Sequence, residues 1–341
     1  MTTLVTGATG FVGWHVARFL TERVGCVRVL VRPTSQLHPA RQPGGLNVEP
    51  VQGDLRDRSS LKKALEGVTQ VFHVAADYRL WARNPDEIYE SNVQGTGNLI
   101  DASRQAGVEK FVYTSSVATI AVPASGGLPD ERTKARLDQM IGHYKRSKFM
   151  AENVVMDAAR NGFPAVVVNP TTPIGPGDWK PTPTGRIIVD FLNGRMPAYV
   201  DTGFNVVGVE DVAEGHWLAA KNGRIGERYI LGERNIALRE FLAIVAAATD
   251  RAAPRVRLPY VVALAAGHME NLWCSVMGRE PRIPLEGVRM AKHKMFVDAS
   301  RATRELGFRP AGIEAAVGRA VRWYIENGYA AATHLRSSQV A

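Results

Sequence analysis

The sequence predicts an α/β fold, a doubly wound parallel sheet followed by a smaller, mostly helical C-terminal part. Three observations predict it. A β-prone run at the start leads directly into a glycine-rich turn, Thr2-Thr3-Leu4-Val5-Thr6-Gly7-Ala8-Thr9-Gly10-Phe11-Val12-Gly13. Strand-like and helix-like segments then alternate through the first half, an order that implies right-handed crossovers and helices on both faces. After Pro170 the texture changes to a run rich in Pro, Gly and Thr.

The elements follow in order. Behind the first strand, Phe11, Val12, Val16, Phe19, Leu20 and Val24 recur at helical spacing. Strands are predicted over 27–31, 47–51, 71–75, 110–114 and 165–168, and helices over 59–65, 86–106 and 144–160. Residues 171–185 read as an irregular loop, 186–193 as a helix and 206–209 as a strand. A helix over 211–220 would carry Asp211 at its N-cap, where a carboxylate satisfies free N–H groups. From 238 onward the pattern is mostly helical, and 330–341, small and polar, read as a flexible tail. The expected division is a dinucleotide-binding domain over 1–170 with a return segment at about 206–232, and a substrate-binding part made of 171–205 and 233–329.

Composition narrows the function classes. The chain has 341 residues, 45% of them hydrophobic, ample for a large core. The glycine loop begins almost at Met1, which predicts no signal peptide. Residues 260–277 are apolar but interrupted by His268, Glu270 and Asn271. They fall short of a span of about 20 apolar residues and read instead as an amphipathic helix beside the substrate. Cys26 and Cys274 suit a reducing cytoplasm, and neither they nor the eight His show metal-ligand spacing. A net charge of +9 favours anionic substrates, nucleic acid or an anionic membrane surface. The longest basic runs stay below five residues, which argues against nucleic acid. The expected partner is a small-molecule substrate, with peripheral membrane contact allowed.

The first chemistry is in the glycine turn. Gly7 allows the tight turn, Gly10 lets a pyrophosphate approach the backbone, and Gly13 lets the helix pack close to the sheet. Phosphates would sit on free N–H groups at the positive helix end, with Thr9, Phe11 and Val12 completing the contact set. Strand ends supply the other contacts, because ligands of such sheets bind beyond the carboxyl ends of the strands. Arg32 stands after the second strand, and Asp and Glu are missing between Val27 and Gln42. An acid there holds the 2′-hydroxyl of NAD, whereas an Arg accommodates the 2′-phosphate of NADP. NADP(H) is therefore expected over NAD(H), with Ser35 as a second contact. Asp54 would accept from the adenine amino group and Leu55 would pack on the ring; capping of the next helix is the other reading of Asp54. Ala75 and Ala76 are small enough for ribose and phosphate to lie close, and His73 reads as a packed core histidine.

Tyr144 and Lys148 lie four apart in a predicted helix, so both project from one face. A nearby ammonium favours the phenolate and is expected to lower the pKa of Tyr144 from its usual value near 10. At the end of the fifth strand stands Thr114-Ser115-Ser116. Alternation sends the two serines to opposite faces, so one of them reaches the site. No metal site is expected.

The motifs Gly7-Ala8-Thr9-Gly10-Phe11-Val12-Gly13, Gly53-Asp54-Leu55, Ser91-Asn92-Val93-Gln94-Gly95-Thr96, Thr114-Ser115-Ser116 and Tyr144-Lys145-Arg146-Ser147-Lys148 resemble the extended short-chain dehydrogenase/reductases. Val209-Glu210-Asp211-Val212-Ala213 and Arg304-Glu305-Leu306-Gly307-Phe308-Arg309-Pro310 extend the match over nearly the whole chain. Within that family the chain is similar to dihydroflavonol-4-reductase-like proteins and to hopanoid-associated sugar epimerases. Residues 73–81, 141–148 and 180–186 carry the closer match.

The resemblance implies a Rossmann-type fold and a role for each residue. Tyr144 would be the acid–base group, Lys148 would hold the nicotinamide ribose and tune Tyr144, and Ser116 would orient the substrate. Asn92 would support the site through its helix. The stretch Asn169-Pro170-Thr171-Thr172 would pass under the nicotinamide, with Thr114, Pro170 and Thr172 counted as cofactor contacts. It also implies a homodimer built on the helices over 86–106 and 144–160. Arg32 departs from the acidic residue of relatives that act on nucleotide sugars and keep NAD tightly bound. Candidate substrate contacts are Tyr78, Arg79 and Trp81, then Trp179, Lys180 and Arg186; each also reads as core packing or a surface charge. The expected activity is NADP(H)-dependent hydride transfer at a carbinol or ketone carbon of a sugar-like or isoprenoid-linked substrate. An epimerase with retained NAD(P) and a non-catalytic dinucleotide sensor are the alternatives.

Overall fold

A computed structural model of the chain describes residues 2–33, 35, 46–79, 81–121, 127–249, 251–277 and 285–331. In chain order the first elements are β1 (Thr2–Thr6), α1 (Phe11–Val24), β2 (Val27–Val31), β3 (Val48–Gln52), α2 (Arg58–Ala64), β4 (Val68–His73), α3 (Asp86–Tyr89), α4 (Gly95–Gln105), β5 (Lys110–Thr114), α5 (Gly142–Arg160) and β6 (Ala165–Pro170). There follow β7 (Thr172–Ile174), α6 (Pro183–Leu192), β8 (Ala198–Val200), β9 (Gly203–Gly208), α7 (Val209–Asn222), β10 (Arg228–Leu231) and β11 (Arg234–Ala237). The chain closes with α8 (Leu238–Ala247), β12 (Val256–Leu258), α9 (Tyr260–Met277), α10 (Leu285–Met290) and α11 (Ile313–Glu326).

The chain divides into two units. The first comprises 1–171, 210–231 and 298–309. Its sheet has seven strands in the order β10-β6-β5-β4-β1-β2-β3, all paired in parallel. Both faces are covered, so the central strands are apolar throughout: Leu4, Val5, Val71, Phe72, Phe111, Val112, Val166 and Val168 are buried. Leu61, Leu65, Leu99, Ile100 and Val155 of the helices join the core on one face. The order reverses between β1 and β4, and the loops after these two strands carry the glycine turn and the two alanines. That is the switch point where ligands of such sheets bind.

The second unit comprises 172–209, 232–297 and 310–341, of which 332–341 lie outside the described residues. It holds a mixed sheet β11-β9-β7, a parallel pair β12-β8, and helices α6, α8, α9, α10 and α11. Its core joins Ile188, Phe191 and Leu192 of α6 to Phe241 and Leu242 of α8 and to Val317, Val321 and Tyr324 of α11.

Several expectations need correction. The segment Asp298–Arg309 belongs to the first unit, where the sequence reading grouped it with the second. Arg301 pairs there with Glu227 at 2.8 Å, and Asn222 donates to the Leu306 carbonyl. The expected single helix over 86–106 is interrupted by a π-helical turn, Glu90–Gln94, between α3 and α4. Asp211 is inside the first turn of α7 rather than at its N-cap, since the helix begins at Val209. The fourth strand starts and ends earlier than expected, which leaves Ala75 and Ala76 in the loop behind it. Strand β7 lies within the stretch expected to be irregular, and α6 starts at Pro183 behind Thr182, whose side chain accepts from the Gly185 N–H. Asp57, not Asp54, caps α2, its carboxylate accepting from the Ser59 N–H.

Candidate active site

The glycine turn has the geometry a phosphate needs. Gly7 holds φ +77, and a Cβ there would lie 2.6 Å from the Ala75 backbone nitrogen. A Cβ on Gly13 would lie 2.1 Å from the Gly7 carbonyl oxygen. Loop, neighbouring strand end and helix therefore approach to a distance only glycine permits. Gly10 is the N-cap of α1, with no side chain of its own to bond the helix end, and the first turn carries no acid. The N–H groups of Phe11, Val12 and Gly13 are those a helix leaves without internal partners, at its positive end.

Beneath the turn runs a directed chain of hydrogen bonds. The Ala75 N–H donates to Thr6 Oγ1 at 3.2 Å, and Thr6 Oγ1 lies 2.8 Å from His73 Nδ1. His73 Nε2 lies 2.9 Å from Thr96 Oγ1, which donates to the Asn92 carbonyl at 2.6 Å. Each hydroxyl has one proton, so His73 must donate through Nε2 and accept at Nδ1. It is the packed, neutral histidine expected; burial, with Lys148 nearby, brings its pKa down to about 3. His216 is a second such group. It donates Nδ1–H to the Val212 carbonyl and accepts from Thr114 Oγ1, and burial brings its pKa down to about 4.

Both values lie below the unfolded value of 6.5. The stability these histidines contribute is complete above pH 6.5 and is lost as pH falls toward 4 and then 3. The thermal midpoint should therefore drop across this window, and His216→Gln should make the fall shallower. An unchanged slope in a melt series would assign the acid lability elsewhere.

Helix α5 carries the reactive pair. Lys148 is buried; it donates to the Tyr113 hydroxyl at 2.9 Å and to the Thr114 carbonyl at 2.8 Å. Burial brings its pKa down to about 7, and Glu152 opposes that shift. Tyr144 is half-buried, with the Ser116 hydroxyl close enough to act on its phenol. Loss of water raises its pKa above 10, and Ser116 works against the rise. The expected downward shift of Tyr144 by Lys148 is not seen: burial dominates, and the Lys148 ammonium bonds Tyr113 and Thr114. The phenol stays protonated at neutral pH, the state of a proton donor.

Of the two serines, Ser116 meets Tyr144, and its Oγ also accepts from the Ala118 N–H at 3.1 Å. Ser115 points into the interior with its Oγ unpartnered among the described residues. Asn92, in the π-helical turn, accepts from the Asp77 N–H at 2.7 Å and donates to the Asp77 carbonyl and to Ser147 Oγ. Ser147 donates in turn to the Tyr144 carbonyl. Asn92 therefore fastens the loop after β4 to the turn of α5 that carries Tyr144. An extra residue in a helix turn often marks such a functional position.

Sequence reasoning missed three residues below the pair. Tyr113 receives the Lys148 ammonium. Glu152, one turn beyond Lys148 on the same buried face, accepts from Asn169 Nδ2, Thr119 Oγ1 and Arg228 at 2.8, 2.9 and 2.8 Å. Arg228 of β10 also donates to the carbonyls of Glu131 and Thr133. The spacing Tyr144, Lys148, Glu152, each four apart, was the available signal: a carboxylate on a buried helix face needs a partner. Asn169 also donates to the Ser116 carbonyl, and its buried Oδ1 has no partner among the described residues.

The other candidates are placed as follows. Arg32 is exposed at the end of β2, beside the loop where the Gly53 N–H donates to the Val31 carbonyl. Asp54 is held by Arg56, which donates from its backbone and guanidinium at 2.8 to 3.0 Å. That bond chiefly lowers the Asp54 pKa, with Arg32 contributing last. Leu55 is buried against Gly95. Pro170 ends β6, and Thr172 opens β7 in the second unit. Tyr78 and Trp81 are exposed after β4, while Arg79 is engaged by Asp77 and Glu87. In the second unit Lys180 and Arg186 are exposed, and Trp179 packs edge-on against Trp323 at 4.6 Å.

A parallel sheet with a phosphate-shaped glycine turn and a Tyr-Lys helix defines a dinucleotide-dependent enzyme. The chain belongs to the NAD dependent epimerase/dehydratase family, whose description matches residues 3–232. It is 43% identical over 329 residues to a dihydroflavonol 4-reductase-like protein of Synechocystis sp., covering 95% of each chain. It is 35% identical to sterol demethylase protein B of Methylococcus capsulatus, over 96% of this chain and 99% of that one. Among solved structures, gox2253 superposes with a TM-score of 0.85 at 45% identity, covering 96% of this chain and 99% of that one. The UDP-glucose 4-epimerase of Thermus thermophilus, in complex with NAD, superposes with a TM-score of 0.74 at 25% identity, covering 95% of this chain and 99% of that one.

Proposed function

We propose that this enzyme uses NADP(H) to transfer hydride at a carbinol or ketone carbon of a sugar-like or isoprenoid-derived substrate. The observation that carries the reading is the neighbouring pair Tyr144 and Ser116, with Lys148 anchored one helical turn away. When bound, the nicotinamide supplies or accepts the hydride. The chain's own residues handle binding and the proton. The α1 N-terminus would hold the pyrophosphate, for the cradle is one that a side chain at Gly7 or Gly13 would fill. Lys148 spends two of its three donors on Tyr113 and Thr114, leaving one for a ribose hydroxyl. Tyr144, protonated at neutral pH, gives its proton to the substrate oxygen as that oxygen gains charge. Ser116 donates to the same oxygen and polarises the carbonyl.

The preference for NADP(H) rests on Arg32, exposed where the adenosine ribose is expected. Asp54 does not compete for that role, being held by Arg56. In a fluorescence titration NADPH should bind more tightly than NADH, and Arg32→Glu should weaken NADPH selectively. Equal affinities in the unmodified enzyme would overturn the preference. The substrate class rests on relatives named for sterol chemistry and for a farnesyl-bearing quinoline ketoreductase, the second 30% identical over 323 residues. Exposed Tyr78 and Trp81 offer aromatic faces that suit a fused ring or a sugar.

A second reading is an epimerase that retains its cofactor, favoured by the likeness to the NAD-bound epimerase structure. The two share their first step and separate at the next. A reductase releases oxidised cofactor, whereas an epimerase returns the hydride to the other face. Dinucleotide that co-elutes with the purified protein and stays through dialysis would favour the epimerase.

A further inference from the structure

The outward face of α9 is apolar and open. Val261, Met269, Leu272 and Trp273 are 73%, 72%, 70% and 68% exposed, and Val262 and Met277 are about half exposed. Ala265 and Ala266 lie between them, and His268 is the one polar side chain among the described exposed residues of the helix. The opposite side is used: Gly267 faces Val288 and Leu285 of α10 so closely that a Cβ would lie 3.1 Å from Val288. Single exposed apolar residues are ordinary on a protein surface, but a continuous stripe marks a contact site.

Charge indicates what covers it. Residues 251–294 contain eight Arg and Lys against three Glu, a net +5 within a chain of net +9. Arg255, Arg257, Arg289, Lys292 and Lys294 are exposed on the segments that lead into α9 and out of α10; of these, Arg257 is paired with Asp201. A second copy seated on this stripe would bring two segments of net +5 together, and like charge opposes such docking. Among the described residues no helix is long and apolar enough to cross a membrane. An apolar stripe on a helix that does not span, within a segment of net +5, suits an interfacial helix drawn to anionic lipid.

We propose that α9 docks on an anionic lipid surface, its Met269-Leu272-Trp273 face in the acyl boundary, with the net positive charge of its segment supplying the attraction to lipid headgroups. The inference is independent of the hydride-transfer reading. It brings the protein to a surface on which an isoprenoid or sterol-like substrate would partition.

The test is sedimentation of the full chain with vesicles of phosphatidylcholine, with and without phosphatidylglycerol. The protein should sediment with the anionic vesicles and be released by salt. Combined Met269→Ser, Leu272→Ser and Trp273→Ser should lower partitioning by about tenfold or more with the thermal midpoint unchanged, because the three side chains are exposed. Combined Arg255→Glu, Arg289→Glu and Lys292→Glu should abolish the preference for anionic lipid. Failure of the unmodified protein to sediment with anionic vesicles would overturn the proposal, as would equal sedimentation of the serine variant. A protein that stays off vesicles, and whose mass by light scattering falls in the serine variant, would assign the stripe to a second copy instead.

Discussion

Tyr144→Phe is expected to lower kcat by about 10²–10⁴-fold, the usual loss for a positioned acid, while dinucleotide affinity stays nearly constant. Proton position sets the size of this loss. Tyr144 is protonated at neutral pH, since loss of water raises its pKa, and Ser116 lies beside it. Phenylalanine keeps the ring and its packing but removes that one hydroxyl. The glycine turn and the bonds of Lys148 to Tyr113 and Thr114 do not involve the Tyr144 oxygen. Binding and chemistry should therefore separate: single-turnover rates fall, and the affinity in a titration stays. A variant that turns over normally would remove Tyr144 from the reaction.

The second large effect is on stability, and it reaches the site through Lys148. Glu152→Ala should cost about 3–5 kcal/mol, the range for breaking a buried ion pair from one side. Arg228 would be left without its carboxylate, and Asn169 and Thr119 without an acceptor they share. Glu152→Gln keeps an acceptor and removes the charge, so it should recover part of that loss. Glu152 works against the burial that brings the Lys148 pKa down to about 7. In the Gln variant the pH limb belonging to Lys148 should consequently move to lower pH. Urea unfolding measures the first effect and a pH–rate profile the second. A Gln variant with an unmoved profile would refute the electrostatic link while leaving Glu152 a structural residue.

The parts of this enzyme legible in the sequence are those set by local rules. The glycine turn could be read because Gly7 and Gly13 meet backbone that excludes any side chain, and the chain has no other solution there. The parallel strands could be read because burial on both faces makes them continuously apolar. Tyr144 and Lys148 could be read from helical spacing combined with the strand end that carries Ser116. What lay hidden was long-range. Arg228 reaches Glu152 across 76 residues of sequence, and His216 meets Thr114 across 102, with nothing local to announce either contact. The pKa of Tyr144 was misjudged for the same reason. The shift follows chiefly from burial of the phenol, which helical spacing alone does not reveal. The π-helical turn at Glu90–Gln94 was equally silent, because its sequence is compatible with an unbroken helix and Asn92 draws it out only by bonding Asp77 and Ser147.

The central claim is that this site moves hydride while Tyr144 handles the proton. The most direct measurement supplies NADPH deuterated at the transferring carbon, with a panel of cyclic and isoprenoid ketones, and locates the label in the product. The expected result is deuterium on the carbinol carbon with the unmodified enzyme and essentially none with Tyr144→Phe in the same time. Bound cofactor that never delivers label to any ketone, or equal labelling by both proteins, would contradict the account.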